Sequence, residues 1–343
     1  ELSMSSPLTV GDKALSMLQG LGMQLEFSDL LRLGFYFEEL DFSRSTELLQ
    51  ALTELPEPWP RRLAAMQPSG KLLDFFAGWD SLNGWNANAK LLGLSSKSVD
   101  KLPGINALDA DMLLKQNKLS VEIKDQAFEF DSAGLFPEVF TVQRLSTRID
   151  VHKDKTDWVV SVPSLFLDTP DIKTHSYFEM RFAQDKKTFL SLSATAENGD
   201  AAQTMRYVPT FLKPKTLEWF EQAFIAGRVV DADAYIKGYI NELAREGSDA
   251  IFRIDAKVAD ATFSYAKGWP IVEGLDATFH MDGVRMEVET QAAEVLGVRP
   301  RQAKAVIPNC RKTSLELFID APHSPMQGLL SYVKQSPLAK LVG

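Results

Sequence analysis

"KLSVEIKD", residues 118–125, alternates polar and apolar side chains from one position to the next. Leu119, Val121 and Ile123 fall on one side, and Ser120 and Glu122 fall on the other. Side chains of a β-strand point alternately to opposite faces, so the stretch predicts a strand with one apolar face and one polar face. Such one-sided alternation is typical of antiparallel sheets, because parallel sheets are usually buried on both faces.

The same alternation recurs along most of the chain. It is clearest in "YFEMRF" (177–182), "LSLSATA" (190–196), "FRIDAKV" (252–258), "VRMEVET" (284–290) and "SLELFID" (314–320). Segments of this kind outnumber helical ones by roughly three to one. The sequence therefore predicts a mainly β fold built on antiparallel sheet.

Two segments resemble each other closely enough to suggest an internal repeat. "LDADMLLKQNKLSVE" (108–122) and "LDATFHMDGVRMEVE" (275–289) align without gaps, and both turn through polar residues before a strand that ends in Val-Glu. Asp282-Gly283 is a strong hairpin signal, because type I′ turns need positive φ. A looser copy starts at Leu145. The pattern fits either a true repeat or separate hairpins that obey the same turn rules.

Four stretches predict short amphipathic helices: 43–58, 56–66, 213–228 and 324–337. In the third, Gly227 is expected to end the helix as a C-cap. In the fourth, the apolar side chains at helical spacing are expected to face inward; they are Met326, Leu329, Leu330 and Val333. The predicted organisation is an N-terminal β segment with two short helices over 1–100. A segment of repeated β-hairpins follows over 101–343, with helices near 214–226 and 325–334.

Composition excludes several classes of protein. The 343 residues carry 37 basic and 46 acidic side chains, a formal net charge of -9 without basic runs, which argues against binding nucleic acid. Cys310 is the only cysteine, so no intrachain disulfide forms, and we expect a small, partly buried thiol. No apolar run approaches the ~20 residues of a membrane helix. The chain begins at Glu1 without an initiator methionine, so we expect a piece of a longer protein.

The sequence contains no recognisable catalytic, nucleotide-binding or metal-binding motif. Its four histidines are scattered, and we predict no cofactor, no metal and no enzymatic activity. One alternative is a carbohydrate-active hydrolase that uses Asp231 and Asp233, which share a strand face, with tryptophans as sugar platforms. A solvated strand face is the simpler interpretation of the two aspartates.

A large one-sided sheet must cover its apolar face. A second sheet, helices or a bound apolar ligand could do so, and little helix is available. Periodicity alone favours a closed sandwich and leaves an open, ligand-binding groove as the alternative.

The segment "RYVPTFLKPKTLEWFEQAFIAGRVVDADAYIKGYI" (206–240) resembles the YhdP-type branch of the AsmA-like proteins of Gram-negative bacteria. The matching positions are Tyr207, Pro209, Leu217, Trp219, Ala223, Phe224, Gly227, Val229 and Gly238. A second matching element, 263–288, carries Tyr265, Trp269, Pro270, Leu275 and Gly283. The resemblance covers roughly 45–343. It departs from the family pattern after Gly238, where this chain has "NELAREGSDAIFRIDAKV".

The resemblance implies an elongated, twisted antiparallel sheet that forms an open apolar groove. It further implies a periplasmic segment of a phospholipid-transfer bridge between the inner and outer membranes, serving outer membrane biogenesis. The full-length protein would be anchored in the inner membrane by an N-terminal helix that this sequence lacks, and envelope proteins are possible partners. The alternative is a closed β-sandwich scaffold or protein-interaction module of the cell envelope.

If the groove is present, the apolar sides of the predicted strands would bind phospholipid acyl chains. The candidate lipid-binding residues are Leu119, Val121, Ile123, Phe178, Met180, Phe182, Leu190, Leu192, Ile254, Val258, Met286, Val288, Leu315 and Leu317. The helix that bears Trp219 and Phe224 would cap or wedge the sheet.

Overall fold

The computed structural model describes residues 2–4, 18–19, 22–27, 31–41, 59–183, 187–243, 245–312 and 314–342. It is mainly β, with 62% strand and 13% helix, and its antiparallel sheet is not closed. These proportions confirm the predicted fold class. The helix predicted over 43–58 lies outside the described residues.

The chain divides into two compact units. The first comprises 1–134, 138–170 and 181–184, and the second comprises 135–137, 171–180 and 185–343. The predicted boundary near residue 100 remains a prediction.

In the part of the first unit that the structure describes, antiparallel strands form a ladder accompanied by one helix. Its elements are β1 (Leu2–Met4), β2 (Leu18–Gln19), β3 (Gly22–Phe27), β4 (Leu31–Asp41), α1 (Trp59–Met66), β5 (Ser69–Asp80), β6 (Gly84–Ser96), β7 (Gly104–Lys115), β8 (Lys118–Asp131), β9 (Phe140–Asp154) and β10 (Asp157–Asp168). From β3 to β10, each strand pairs with the next along the chain. The β7–β8 turn holds Gln116 and Asn117 at φ 49° and 61°, as a tight hairpin requires.

The second unit contains the remaining elements. They are β11 (Lys173–Phe182), β12 (Thr188–Asp200), a 3₁₀ helix (Ala201–Tyr207), α2 (Pro214–Ala223), β13 (Phe224–Tyr239), a 3₁₀ turn (Ile240–Glu242), β14 (Ile251–Phe263), β15 (Val272–Asp282), β16 (Arg285–Glu294), β17 (Gln302–Ile307), β18 (Glu316–Asp320), α3 (Met326–Lys334) and α4 (Ala339–Val342). The last residues of β11 group with the first unit. From β12 to β18, each strand pairs with its successor, and Gly283 makes the predicted Asp-Gly turn at φ 58°.

The third predicted helix ends earlier than expected. α2 stops at Ala223, and Gly227 lies inside β13, so its assignment as the helix C-cap is wrong. Gly227 instead has φ 125°, and a Cβ there would lie 2.5 Å from the Cα of Ala261 on β14. The glycine is needed for a close approach of two strands. Gly238 has φ 146°, and a Cβ there would lie 2.6 Å from the Cβ of Ala250.

The fourth predicted helix forms, but most of its apolar side faces solvent. Met326, Leu329 and Leu330 are exposed, contrary to the expected inward orientation, and Val333 is half-buried. α3 packs through other positions, because Gly328 lies against Val298 and Tyr332 contacts the β14–β15 connection.

The internal repeat is present in the backbone, and it includes the helices. The amide of Lys97, just after β6, donates to the carbonyl of Met66, the last residue of α1, over 2.8 Å. The amide of Ser264, just after β14, donates in the same way to the carbonyl of Ala223, the last residue of α2, over 2.9 Å. Both copies then place a positive-φ glycine, Gly70 or Gly227, near the start of the next strand.

A strand irregularity is also repeated. Gly93 on β6 has φ 62°, and its amide donates to Asp109 Oδ1 over 2.6 Å. Asp260 on β14 has φ 50°, and its amide donates to Asp276 Oδ1 over 2.9 Å. Asp109 and Asp276 belong to the Leu-Asp-Ala triplets noted in the sequence. The two aspartates are 167 residues apart (276 − 109), and so are the two positive-φ residues, Gly93 and Asp260 (260 − 93). The repeat therefore runs from α1 to β8 and from α2 to β16.

Few side chains are deeply buried. Among the described residues, seventeen hydrophobic residues are buried, and Val159 and Val162 are the largest that are fully so. Most apolar strand residues thus keep partial contact with solvent.

Candidate functional site

Strand pairing in the second unit lines apolar side chains up across the sheet. Residues directly opposite each other on paired strands share a face. The Ile254 row comprises Ala194, Ala234, Ile254, Met281, Met286 and Ile307, on strands β12 to β17. The Val288 row comprises Ala196, Ala232, Ala256, Phe279, Val288, Ala305 and Leu317, on strands β12 to β18. Both rows lie on one face, because their members are two residues apart along each strand.

Further candidate residues lie on this same face. Leu192 faces Ile236, which faces Phe252, and Leu190 faces Gly238. Val258 belongs to another row, which runs from Val229 through Val258, Ala277, Thr290 and Ala303 to Ile319. The register thus brings together seven predicted site residues from four strands: Leu190 and Leu192 on β12, Ile254 and Val258 on β14, Met286 and Val288 on β16, and Leu317 on β18.

The opposite face of these strands is charged. One row contains Glu197, Asp231, Lys257, Thr278, Glu289 and Lys304. Asp231 pairs with Lys257 at 3.2 Å, and Lys304 pairs with Glu289 at 2.7 Å. A hydrogen bond from Lys304 lowers the pKa of Glu287, and the same bond raises the pKa of Lys304. These pairs are solvent-exposed, so each contributes only modestly to stability.

The first unit has an apolar face of the same kind. The Leu119 row comprises Phe35, Ala77, Ala87, Leu114, Leu119, Val151 and Val160. The Val121 row comprises Ala89, Met112, Val121 and Ile149. Ile123 lies on this face opposite Thr147 and is buried.

The remaining candidate residues lie outside the rows described above. Phe178 and Met180 are half-buried on β11, and Phe182 is exposed at the end of that strand. Leu315 is exposed and precedes β18, so it lies outside the strand that was predicted to contain it.

Within β14 to β16, the large side chains of the Ile254 and Val288 rows are neither buried nor fully exposed. Ile254, Phe279, Met281, Met286 and Val288 all have intermediate exposure. Leu317 is 46% exposed and Ile319 is 53% exposed, both on β18, the last strand that the structure describes in this ladder. Hydrophobic contact between neighbouring side chains shields the rows only partly.

An aromatic cluster packs near the α2 end of this face. Trp219 of α2 lies 5.9 Å from the Phe224 ring and 6.1 Å from the Phe263 ring, centroid to centroid. The neighbouring strand positions Ala261, Leu275 and Ala277 are buried. The expected role of this helix as a cap is consistent with these contacts.

The departure from the family pattern after Gly238 forms a long connection from β13 to β14. Between the two copies of the repeat, the offset rises from 157 (227 − 70) to 167 (260 − 93), so the second copy has ten extra residues between Gly227 and Asp260. Eight of them lie in this connection, which spans 240–250, whereas 81–83 connect β5 to β6 in the first copy. Glu246 in this connection accepts a 3.1 Å hydrogen bond from Asn309 Nδ2 and lies 3.7 Å from Lys312 Nζ. The connection therefore reaches the β17–β18 turn.

Sequence analysis missed a buried carboxylate on the polar face of the first unit. Asp150 is 6% exposed and lies within 2.6–3.0 Å of Ser120, Lys118 and Arg148. Burial alone would raise the pKa of Asp150, but hydrogen bonds from Lys118, Ser120 and Arg148 outweigh it and lower that pKa to about 2. Alternation assigned Ser120 to the polar face, but it could not indicate which strand would lie opposite.

The structure gives no support to a hydrolytic pair. Asp231 is paired with Lys257, while Asp233 lies opposite Asp255 on the charged face. Among the described residues, no group of three His, Cys, Asp or Glu side chains could hold a metal ion. Cys310 is exposed, contrary to the expected partial burial, because it lies in the turn after β17.

These features define an open antiparallel β protein with one apolar and one charged face in each unit. The YhdP protein family model matches residues 12–343, so the chain belongs to the YhdP family. One relative is the "Intermembrane phospholipid transporter YhdP" of Escherichia coli strain K12, 24% identical over 181 residues. That match spans 52% of this chain and 14% of the relative's length. No solved structure matches the chain. In the described residues, no helix combines the length and apolarity needed to cross a membrane.

Proposed function

We propose that this chain is a periplasmic segment of a phospholipid-transfer bridge between the inner and outer membranes, and that its apolar faces form a groove for acyl chains. The observation that carries the proposal is the register of the second unit. It aligns the apolar side chains of six or more strands into rows without a charged member, and these rows stay partly open to solvent. A hydrocarbon chain needs apolar contact and no hydrogen-bond partner, which such a surface provides.

Family membership supports the same interpretation. The Escherichia coli relative carries the name of an intermembrane phospholipid transporter, and the chain covers only a part of it. We therefore propose that the intact protein transfers phospholipid without catalysis and is anchored in the inner membrane. Other envelope proteins are proposed partners.

A closed β-sandwich scaffold is the rival. In such a sandwich the inner faces of two sheets bury each other. The intermediate exposure of Ile254, Phe279 and Val288, and the larger exposure of Leu317, argue against a sandwich in the second unit.

Two measurements test the proposal. Mass spectrometry of gently purified protein is expected to find bound phospholipid. Photo-crosslinking amino acids at Val121 and Leu192, on the apolar faces, are expected to capture lipid in cells.

The matched control for Leu192 is Ser193, the next residue of the same strand, which is exposed and points to the charged face. A probe at Ser193 should capture little lipid. Equal capture at both positions, or no lipid by either method, would contradict the proposal.

A further inference from the structure

The two repeat copies carry corresponding rows on their apolar faces. Under the offset of 167 residues, Ala89, Met112 and Val121 of the first unit correspond to Ala256, Phe279 and Val288 of the second. Each trio is joined by direct register, on β6–β7–β8 and on β14–β15–β16. The two trios therefore correspond both in the sequence alignment and in the way their strands pair.

Several backbone details fix this equivalence. Both copies share the helix-end hydrogen bond, the positive-φ glycine and the aspartate that accepts from a positive-φ residue. Ala107 at φ 59° corresponds to Gly274 at φ 55°, although alanine rarely adopts this conformation. Because a positive φ is unfavourable for alanine, its presence at both positions indicates that the backbone has the same conformation in the two copies.

The side chains in the two rows differ at one position, but all of them are apolar. Alanine and valine are retained at the two outer positions, and Met112 is exchanged for Phe279. Met112 and Val121 are half-buried, as are Phe279 and Val288. On the other face of the same strands, Asp111 and Glu122 correspond to Thr278 and Glu289.

We infer that the chain holds two equivalent acyl-chain sites, one in each unit, with Ala89–Met112–Val121 and Ala256–Phe279–Val288 as their floors. The inference rests on the proposed lipid-binding function and adds to it the number and position of the sites. The apolar character of the two floors indicates which ligand they would bind. Neither floor offers a charge or a hydrogen-bonding side chain, so it complements a hydrocarbon chain, whereas a peptide segment would bring polar backbone groups that need partners.

Labelling of the unmodified 343-residue chain tests this directly. The probe is a phosphatidylethanolamine with a diazirine in one acyl chain, presented in phosphatidylethanolamine–phosphatidylglycerol vesicles. Peptide mapping is expected to find label in both 110–123 and 277–290. Label confined to one copy would overturn the inference while leaving the proposed function intact, and no label anywhere would contradict the proposed function itself.

Substitutions then test whether the sites are independent. Val121→Glu and Val288→Glu place a charge in one floor each. Each should remove label from its own copy and lower the label per chain by about half, because one of two equivalent sites is lost. The matched controls are Leu113→Glu and Thr278→Glu, which add the same charge to exposed positions on the opposite face. Loss of label from both copies in a single floor variant that still gives a wild-type circular dichroism spectrum would show one shared site.

Discussion

Trp219 Nε1 donates a 3.0 Å hydrogen bond to the backbone carbonyl of Tyr265, which fixes α2 to the β14–β15 connection. Around this bond, the indole ring packs edge-on against Phe220, Phe224 and Phe263. The hydroxyl of Tyr265 in turn lies 2.9 Å from that of Tyr332 on α3. One aromatic cluster therefore ties two helices to one end of the second sheet.

Removing this indole should loosen that end of the sheet. We expect Trp219→Ala to lower the free energy of unfolding by about 2–3 kcal/mol, since a half-buried aromatic ring and its hydrogen bond are lost. Trp219→Phe keeps most of the ring contacts and should lose about 1 kcal/mol, the usual net value of one hydrogen bond. Urea denaturation measures both. Trp158→Ala, at a position that is 53% exposed, is the control, and a cost as large as that of Trp219→Ala would contradict the assignment.

A methyl group at Gly227 should be poorly tolerated. The φ of 125° is open mainly to glycine, and the new Cβ would lie 2.5 Å from the backbone of Ala261. We expect Gly227→Ala to cost about 3 kcal/mol or more, because strain and overpacking add. Gly247→Ala, where φ is 74° and no heavy atom lies within 4 Å, should cost only about 1 kcal/mol. Thermal melts of both variants would show whether Gly227 is required for the close approach of β13 and β14.

The repeat predicts opposite effects at two corresponding positions. Ala107 has φ 59°, where alanine is strained, so Ala107→Gly should stabilise the protein by about 0.5 kcal/mol after the entropy cost of glycine. Gly274 has φ 55°, and Gly274→Ala should destabilise by about 1 kcal/mol. Chemical denaturation compares the two. Effects of the same sign would mean that the two backbones do not correspond.

Asp150 should make stability depend on pH in the acid range. Its folded-state pKa is about 2, below the unfolded value near 4, so the ionised form stabilises the fold at neutral pH. This contribution, about 2–3 kcal/mol, is fully present above the unfolded pKa, falls by about half at pH 3 and is lost as the pH passes through the folded pKa. We expect Asp150→Asn to be destabilised by about 2 kcal/mol at pH 7, with the gap to wild type narrowing towards pH 3.

The control for this pH dependence is Asp125→Asn. Asp125 pairs with Arg144, but both side chains are more than half exposed, so the change should cost at most about 0.5 kcal/mol at any pH. A difference between Asp150→Asn and wild type that stays constant from pH 7 to pH 3 would show that the carboxylate does not act through its charge.

Much of the local structure followed from the sequence. The strands around Val121, Leu192, Ile254 and Val288 were predicted from alternation, and the turn at Gly283 from its Asp-Gly pair. Helix α2 was predicted, but its end was not, because glycine is compatible both with a helix C-cap and with a close strand approach. The sequence does not reveal that Ala261 lies against Gly227.

The exposed face of α3 was not predicted for a similar reason: the sequence does not reveal which residues the helix contacts. Spacing identified Met326, Leu329 and Leu330 as one side of a helix, and it could not say which side meets the sheet. In the structure Gly328 and Tyr332 make those contacts, because a position without a side chain permits close packing against Val298.

By itself, the sequence determined that each strand has an apolar side and a polar side, since this depends only on the two-residue period of an extended backbone. Only the tertiary structure decided which strands stand opposite one another. The hydrogen-bonded register joins Ala256, Phe279 and Val288 into one row and places Asp150 beside Lys118. A tight turn sets the register of its own hairpin, as Gly283 does for Phe279 and Val288. Strands joined by longer connections, such as those that carry Lys118 and Asp150, take their register from contacts between residues distant along the chain, which alternation does not encode.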